Sequence, residues 1–225
     1  MLYGHQQVLI DSLLRVLQMP LQNRVHPKGT LEMVSSRGSF MGNRGVLHND
    51  QQEVTRLFKL KRWIICSLEF NGRKRDLMSP GSYTELFFLD EATAFAAGHR
   101  PCAECRRTRY NEFRDAWMTA DGVDKGITFN IKDMDSTLHG ERVVGGQKVT
   151  WSALPASLPH GTMFKVDERV YAVYEGKYLT WGFEGYSAAE LDGVPREVEV
   201  LTPRSVVSVF SSGFRPKFHD SASGA

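Results

Sequence analysis

The sequence predicts an α+β protein whose N-terminal half mixes helices with short strands and whose C-terminal part is a small antiparallel β unit. Three observations carry that prediction. Apolar residues recur at helical spacing over residues 5–18 and 103–120, and glycines and prolines break the periodicity of residues 22–49. Short alternating runs bounded by turn residues recur between residues 147 and 202. With 225 residues, 41% of them hydrophobic, the chain can bury one large core or two small ones. The expected division is residues 1–120, residues 121–219 and a disordered tail at 220–225.

Charge and cysteine count narrow the class. The net charge is only +2, but residues 1–120 carry 17 Lys+Arg against 12 Asp+Glu, or +5, and residues 121–225 carry 11 against 14, or −3. No apolar run reaches the ~18 residues of a membrane span, and the first twenty residues lack the basic start and cleavage site of a signal peptide. A soluble, intracellular, cytoplasmic protein with no membrane partner is expected. Three cysteines are an odd number and too few for a disulfide framework, so metal binding is the better use for them.

In chain order, residues 5–18 place Val8, Leu9, Leu13, Leu14, Val16 and Leu17 on one helical stripe ended by Pro20. Residues 37–48 gather glycines, Arg37, Arg44 and His48 in a turn-rich loop that lacks the Gly-Lys-Ser/Thr ending of a phosphate-binding P-loop. Residues 57–70 suit a strand ending at Asn71-Gly72, with a return strand from Arg73. Residues 84–89 read as a strand, Asp90 as the N-cap of a short alanine-rich helix, and Gly98 as its C′ residue. Arg100-Pro101 then forces an extended turn that delivers Cys102 and Cys105 where the next helix starts. That helix lines up Arg106, Tyr110, Phe113 and Trp117 on one side.

A Cys-x-x-Cys at a helix start serves zinc ligation or thiol redox chemistry, and both use the positive helix end that favours thiolate. The redox use needs a thioredoxin-like context that the flanking sequence lacks. Zinc needs two further ligands. Cys66 is the remaining thiol; His48 is the favoured fourth ligand and His99 the alternative, giving a zinc-stabilised N-terminal half around a Cys3His site. Arg44, Lys61, Arg62, Arg73, Arg100, Arg106 and Arg107 cluster near these residues in sequence and are candidates for a phosphate-facing surface.

The run from Phe87-Phe88 through Asp90-Glu91-Ala92, Ala96-Ala97-Gly98 and Arg100-Pro101-Cys102-Ala-Glu-Cys105 resembles the second half of the N-terminal zinc-binding domain of Ada-type DNA-repair proteins. The likeness spans residues of about 62–107. In that family four cysteines bind zinc, two from an earlier Cys-x3-Cys, and one of the earlier pair accepts a methyl group from a methylated DNA phosphate. The resemblance places Cys66 at the first of that pair and Phe70 at the second. It therefore implies a zinc fold that binds DNA, modified or damaged DNA included, with a substitute fourth ligand, and it makes Cys66 a candidate methyl acceptor.

Beyond residue 121, residues 127–132 read as strand-like, followed by a polar segment in which His139 and Glu141 are a candidate acid–base pair for phosphodiester hydrolysis. Strands are expected at residues 148–151, 162–166, 170–174, 178–181 and 198–201, then a short helix over 204–210. Together these readings point to a zinc-containing protein that binds nucleic acid, DNA before RNA, with an enzyme as the alternative.

Overall fold

The computed structural model describes residues 19–72, 76–120, 129–189 and 195–225. The helix expected over residues 5–18 and the first residues of the expected return strand, Arg73 included, lie outside them; residues 76–80, where that strand would continue, form turns instead. Among the described residues the architecture is mixed α+β: two six-stranded sheets, a two-stranded ribbon and four α-helices.

The first sheet is built from β1 (Arg24–Val25), β2 (Leu31–Glu32), β3 (Phe40–Asn43), β4 (Ile64–Cys66), β5 (Leu86–Phe88) and β6 (Arg100–Pro101), in the order β2-β1-β5-β3-β4-β6. β3 runs antiparallel to both β4 and β5, whereas β6 runs parallel to β4. The strand expected over residues 57–70 shrinks to three residues. The N–H groups of Lys59 and Leu60 both donate to Arg44 O, so the chain folds over the loop after β3 rather than joining the ladder. Gly42 sits where a Cβ would lie 2.1 Å from Ile64 O, so only glycine permits this close approach of β3 and β4.

Helix α1 (Glu91–Ala96) starts where Asp90 Oδ1 accepts from Thr93 N at 2.8 Å, and Gly98 follows it at a φ of 87°. The next helix, α2 (Arg107–Ala120), buries Tyr110, Phe113 and Trp117. Residues from 131 onward are helical, not strand-like: Asn130 caps α3 (Ile131–Arg142), and Met134 and Leu138 go into the core one turn apart. The ribbon β7 (Val143–Val144) and β8 (Gln147–Lys148) turns through Gly145-Gly146, both at positive φ.

The second sheet is wholly antiparallel, in the order β13-β12-β11-β10-β14-β9. Its strands are β9 (Trp151–Ala153), β10 (Met163–Val166), β11 (Arg169–Tyr174), β12 (Lys177–Gly182), β13 (Gly185–Ala188) and β14 (Val198–Val200). Helix α4 (Arg204–Ser211) closes the fold on α2 and α3, where Phe95 stacks on Phe113 at 5.2 Å and meets Phe210 and Phe214 edge-on. Each such ring contributes roughly 1.5–3 kcal/mol by burial.

Residues from both sides of position 120 share these cores. Val25, Leu86 and Phe113 pack with Leu138, Val206 and Phe210, and Leu89, Ala92 and Ala96 pack with Met163, Leu179 and Trp181. The expected division at 120 is therefore not visible as separate cores. The tail also differs from the disorder expected of it. Residues Asp220–Ser223 form a 3-10 turn, Ala222 is buried, Ser221 Oγ accepts from Tyr186 N at 2.8 Å, and Asp90 Oδ2 accepts from both Tyr186 Oη and His219 N. A buried carboxylate that needs donors fixes this end of the chain.

Candidate metal centre

Parallel pairing of β4 with β6 sets Ile64 beside Arg100 and Ile65 beside Pro101, and Cys102 N donates to Ile65 O at 2.9 Å. That register carries Cys66, at the end of β4, to the corner holding Cys102 and Cys105. Ser67 Oγ donates to Cys105 O at 3.3 Å and fastens the second contact. The three Sγ atoms lie within 4.8 Å of one another, a group that can hold a metal ion. The corner is braced from behind: the buried Glu91 carboxylate binds Arg106, and Arg109 Nη2 donates to it at 2.8 Å. Burial alone would raise Glu91, yet Arg109 and the Arg106 charge hold it below its ordinary value.

The thiols share their protons unequally. Cys66 is pushed up because it donates to Cys102 and Cys105 and is buried. Cys102 is held down to about 5, first by the bond from Cys66 and, against burial, by the Glu104 and Cys105 N–H groups. Cys105 is lowered for the same first reason. Both downward shifts favour the thiolate form that a divalent cation binds, and such a cation can take the place of the proton on the third sulfur. The Glu104 N–H that points at Cys102 Sγ from 3.4 Å is the kind of outer contact that orients a metal-bound thiolate.

Neither histidine joins the group. His48 Nδ1 lies 2.6 Å from Thr84 Oγ1, and Nε2 lies 3.2 Å from Ser79 O. A carbonyl only accepts, so Nε2 donates there and Nδ1 accepts from the hydroxyl, leaving no lone pair for a metal. His99 is fully buried between Trp63 and Phe88, and its Nε2 accepts from Arg44 Nε at 3.2 Å. The expected Cys3His set is thus corrected to three cysteines among the described residues.

Three of the expected phosphate-binding arginines are also corrected. Arg44 is buried, with Nη1 donating to Gly29 O at 2.9 Å and its guanidinium 3.9 Å from the Trp63 ring centre. Arg100 is buried in a two-bond pair with Asp135, at 2.9 Å for each bond. Arg106 is buried on Glu91. Lys61, Arg62 and Arg107 remain exposed. His139 and Glu141 do not assemble: Glu141 Oε2 accepts from Ser205 N and Oγ, whereas His139 packs on Phe58 at 4.8 Å. Residues two apart on a helix face different ways.

What sequence reasoning missed is the space beside the thiols. Cys66, Cys102 and Cys105 line a pocket of about 620 Å³ whose walls include Met41, Leu60, Ile64, Leu68, Phe70 and Phe87, with Lys59 and Arg62 on its border. Met41 is the cross-strand partner of Cys66, a neighbour fixed by register that no local motif announces. Comparison of the chain with protein-family models, with curated proteins and with solved structures finds no match. The site therefore rests on its own geometry: three convergent thiols lining a pocket whose border carries both cations, Lys59 and Arg62, and carboxylates, Glu85 and Glu104.

Proposed function

We propose that this is a cytoplasmic zinc-binding protein that docks on nucleic acid, DNA before RNA, with Cys66, Cys102 and Cys105 as the metal ligands. The supporting observation is that the three thiols converge and that Lys61, Arg62 and Arg107, cations near them in sequence, stay exposed while Arg44, Arg100 and Arg106 are buried. Thiolate donors suit zinc, which takes sulfur readily at neutral pH and needs no redox partner. The likeness to the Ada-type zinc domain points the same way. Bound there, zinc would supply a cross-link between the strand of Cys66 and the corner of Cys102, stabilising the N-terminal half. Lys61, Arg62 and Arg107 would donate to phosphate oxygens, while Glu91 holds Arg106 and Arg109 inward as the brace of the corner.

Salt dependence tests the docking. Duplex DNA binding should weaken linearly in log K against log salt, and Arg62→Ala or Lys61→Ala should each lower the slope by about 1. Binding that ignores salt, or no binding, would contradict it.

A second reading, an enzyme that accepts a methyl group on Cys66, is favoured by the opening of that sulfur into the pocket. The thiolate sulfur would form a new S–CH3 bond as the C–O bond of a methylphosphotriester breaks, and the electron pair would leave on the phosphate oxygen. Intact mass after incubation with such DNA decides it. A gain of one methylene supports the transfer, and an unchanged mass removes it.

A further inference from the structure

Building on the zinc reading above, we infer that the metal centre is open: its fourth coordination position faces the pocket and takes an exogenous small molecule that joins a neutral nitrogen or sulfur donor to an apolar body. Three protein ligands with a free position are the arrangement of metal sites that bind or process small molecules, whereas four close a structural site. Among the described residues, no further histidine, cysteine, aspartate or glutamate groups with the three Sγ atoms. All three cysteines line the same pocket, so the side of the trio that the described residues leave open is the side that faces the cavity.

Size and chemistry of the pocket narrow the ligand. About 620 Å³ lies within the range of small-molecule sites. Leu60, Ile64, Leu68, Leu77 and Phe87 give it apolar walls, which suit a hydrocarbon body. Three thiolates on a divalent cation leave a net negative charge. Glu85 and Glu104 also border the space, against Lys59 and Arg62, so a neutral donor is favoured over a further anion. In the binding step the donor lone pair forms the bond to the metal and a water molecule leaves; no electron or proton need move.

The test uses the full-length chain loaded with cobalt(II), whose visible spectrum reports its ligands. Imidazole, 1-methylimidazole and 1-butylimidazole are titrated in. The expected result is a change of the cobalt–thiolate spectrum with each, and an affinity that rises by about fourfold for each added methylene. Leu77→Asp and Leu60→Asp, both at exposed rim positions, should keep the imidazole response and flatten the dependence on alkyl length. A cobalt–thiolate spectrum that no donor alters would overturn the open site while leaving the metal reading intact. A response without any dependence on alkyl length would overturn the apolar ligand class. Failure to bind cobalt at all would overturn both readings.

Discussion

Along β4 and the two residues before it, side chains alternate between two environments of opposite chemistry. Arg62, Ile64 and Cys66 face the pocket, whereas Trp63 and Ile65 are buried. On the pocket face lie soft sulfur donors and cations open to solvent. On the core face Trp63 is clamped by two guanidiniums, Arg44 at 3.9 Å and Arg142 at 4.1 Å from its ring centre, with His99 at 5.1 Å. The neighbouring strand repeats the pattern: Met41 and Asn43 line the pocket, and Gly42 and Arg44 are buried. Two arginines that look alike in sequence, Arg44 and Arg62, therefore do different work. One is a structural cation over an aromatic face; the other is available to a partner.

The comparison can be broken first at Trp63. Trp63→Ala should destabilise the protein by about 3–5 kcal/mol in denaturant unfolding, because it empties the core and leaves two buried guanidiniums without their ring. Ile64→Ala, one residue along and half-buried against the pocket, should lose far less. Equal losses would mean that the two faces are not distinct. Next in size is Asp135→Ala, which leaves the Arg100 guanidinium buried without its carboxylate and should cost about 3 kcal/mol.

Lys148 sharpens the core side through pH. Its ammonium reaches inward to Ala96 O at 2.6 Å, and burial first, then Arg44 and Arg142, push it down from 10.5 to about 7. The unfolded lysine keeps its proton up to about pH 10.5 and the folded one only to about 7, so the unfolded state binds more protons between those values. Stability should therefore rise with pH across that window, and Lys148→Met should flatten the rise in urea midpoints. The smallest stability effect belongs to Arg62→Ala, expected within about 0.5 kcal/mol of wild type, although the proposed docking predicts weaker DNA binding for it.

How much of this was legible in the sequence follows from which signals are local. The cap at Asp90, the Gly98 stop and the Arg-Pro corner are set by short-range backbone chemistry, and each stands where the sequence places it. Four of the five expected C-terminal strands are found, because alternation and Glu-Gly or Asp-Glu turns define hairpins without help from the rest of the chain; the strand expected over residues 148–151 falls instead on the break between β8 and β9, and β13, short and glycine-bounded, has no such signal. The convergence of Cys66 with Cys102 and Cys105 was readable from spacing and thiol chemistry. That neither histidine joins them was not. His48 and His99 are near in sequence, but each meets a stronger local demand, Thr84 and Ser79 for one and Arg44 for the other. Counting arginines likewise carries no information about which face of a strand they take. That depends on a register set by β3, β5 and β6 together.

The central claim is that Cys66, Cys102 and Cys105 jointly hold a metal, and X-ray absorption at the zinc edge of the full chain tests it most directly. Protein purified without added metal should contain zinc in proportion to chain, with sulfur neighbours at about 2.3 Å. Cys66→Ser should lower the sulfur count or empty the site, as should Cys102→Ser. Zinc-free protein that resists loading, or a shell of nitrogen and oxygen unaffected by these substitutions, would contradict the account.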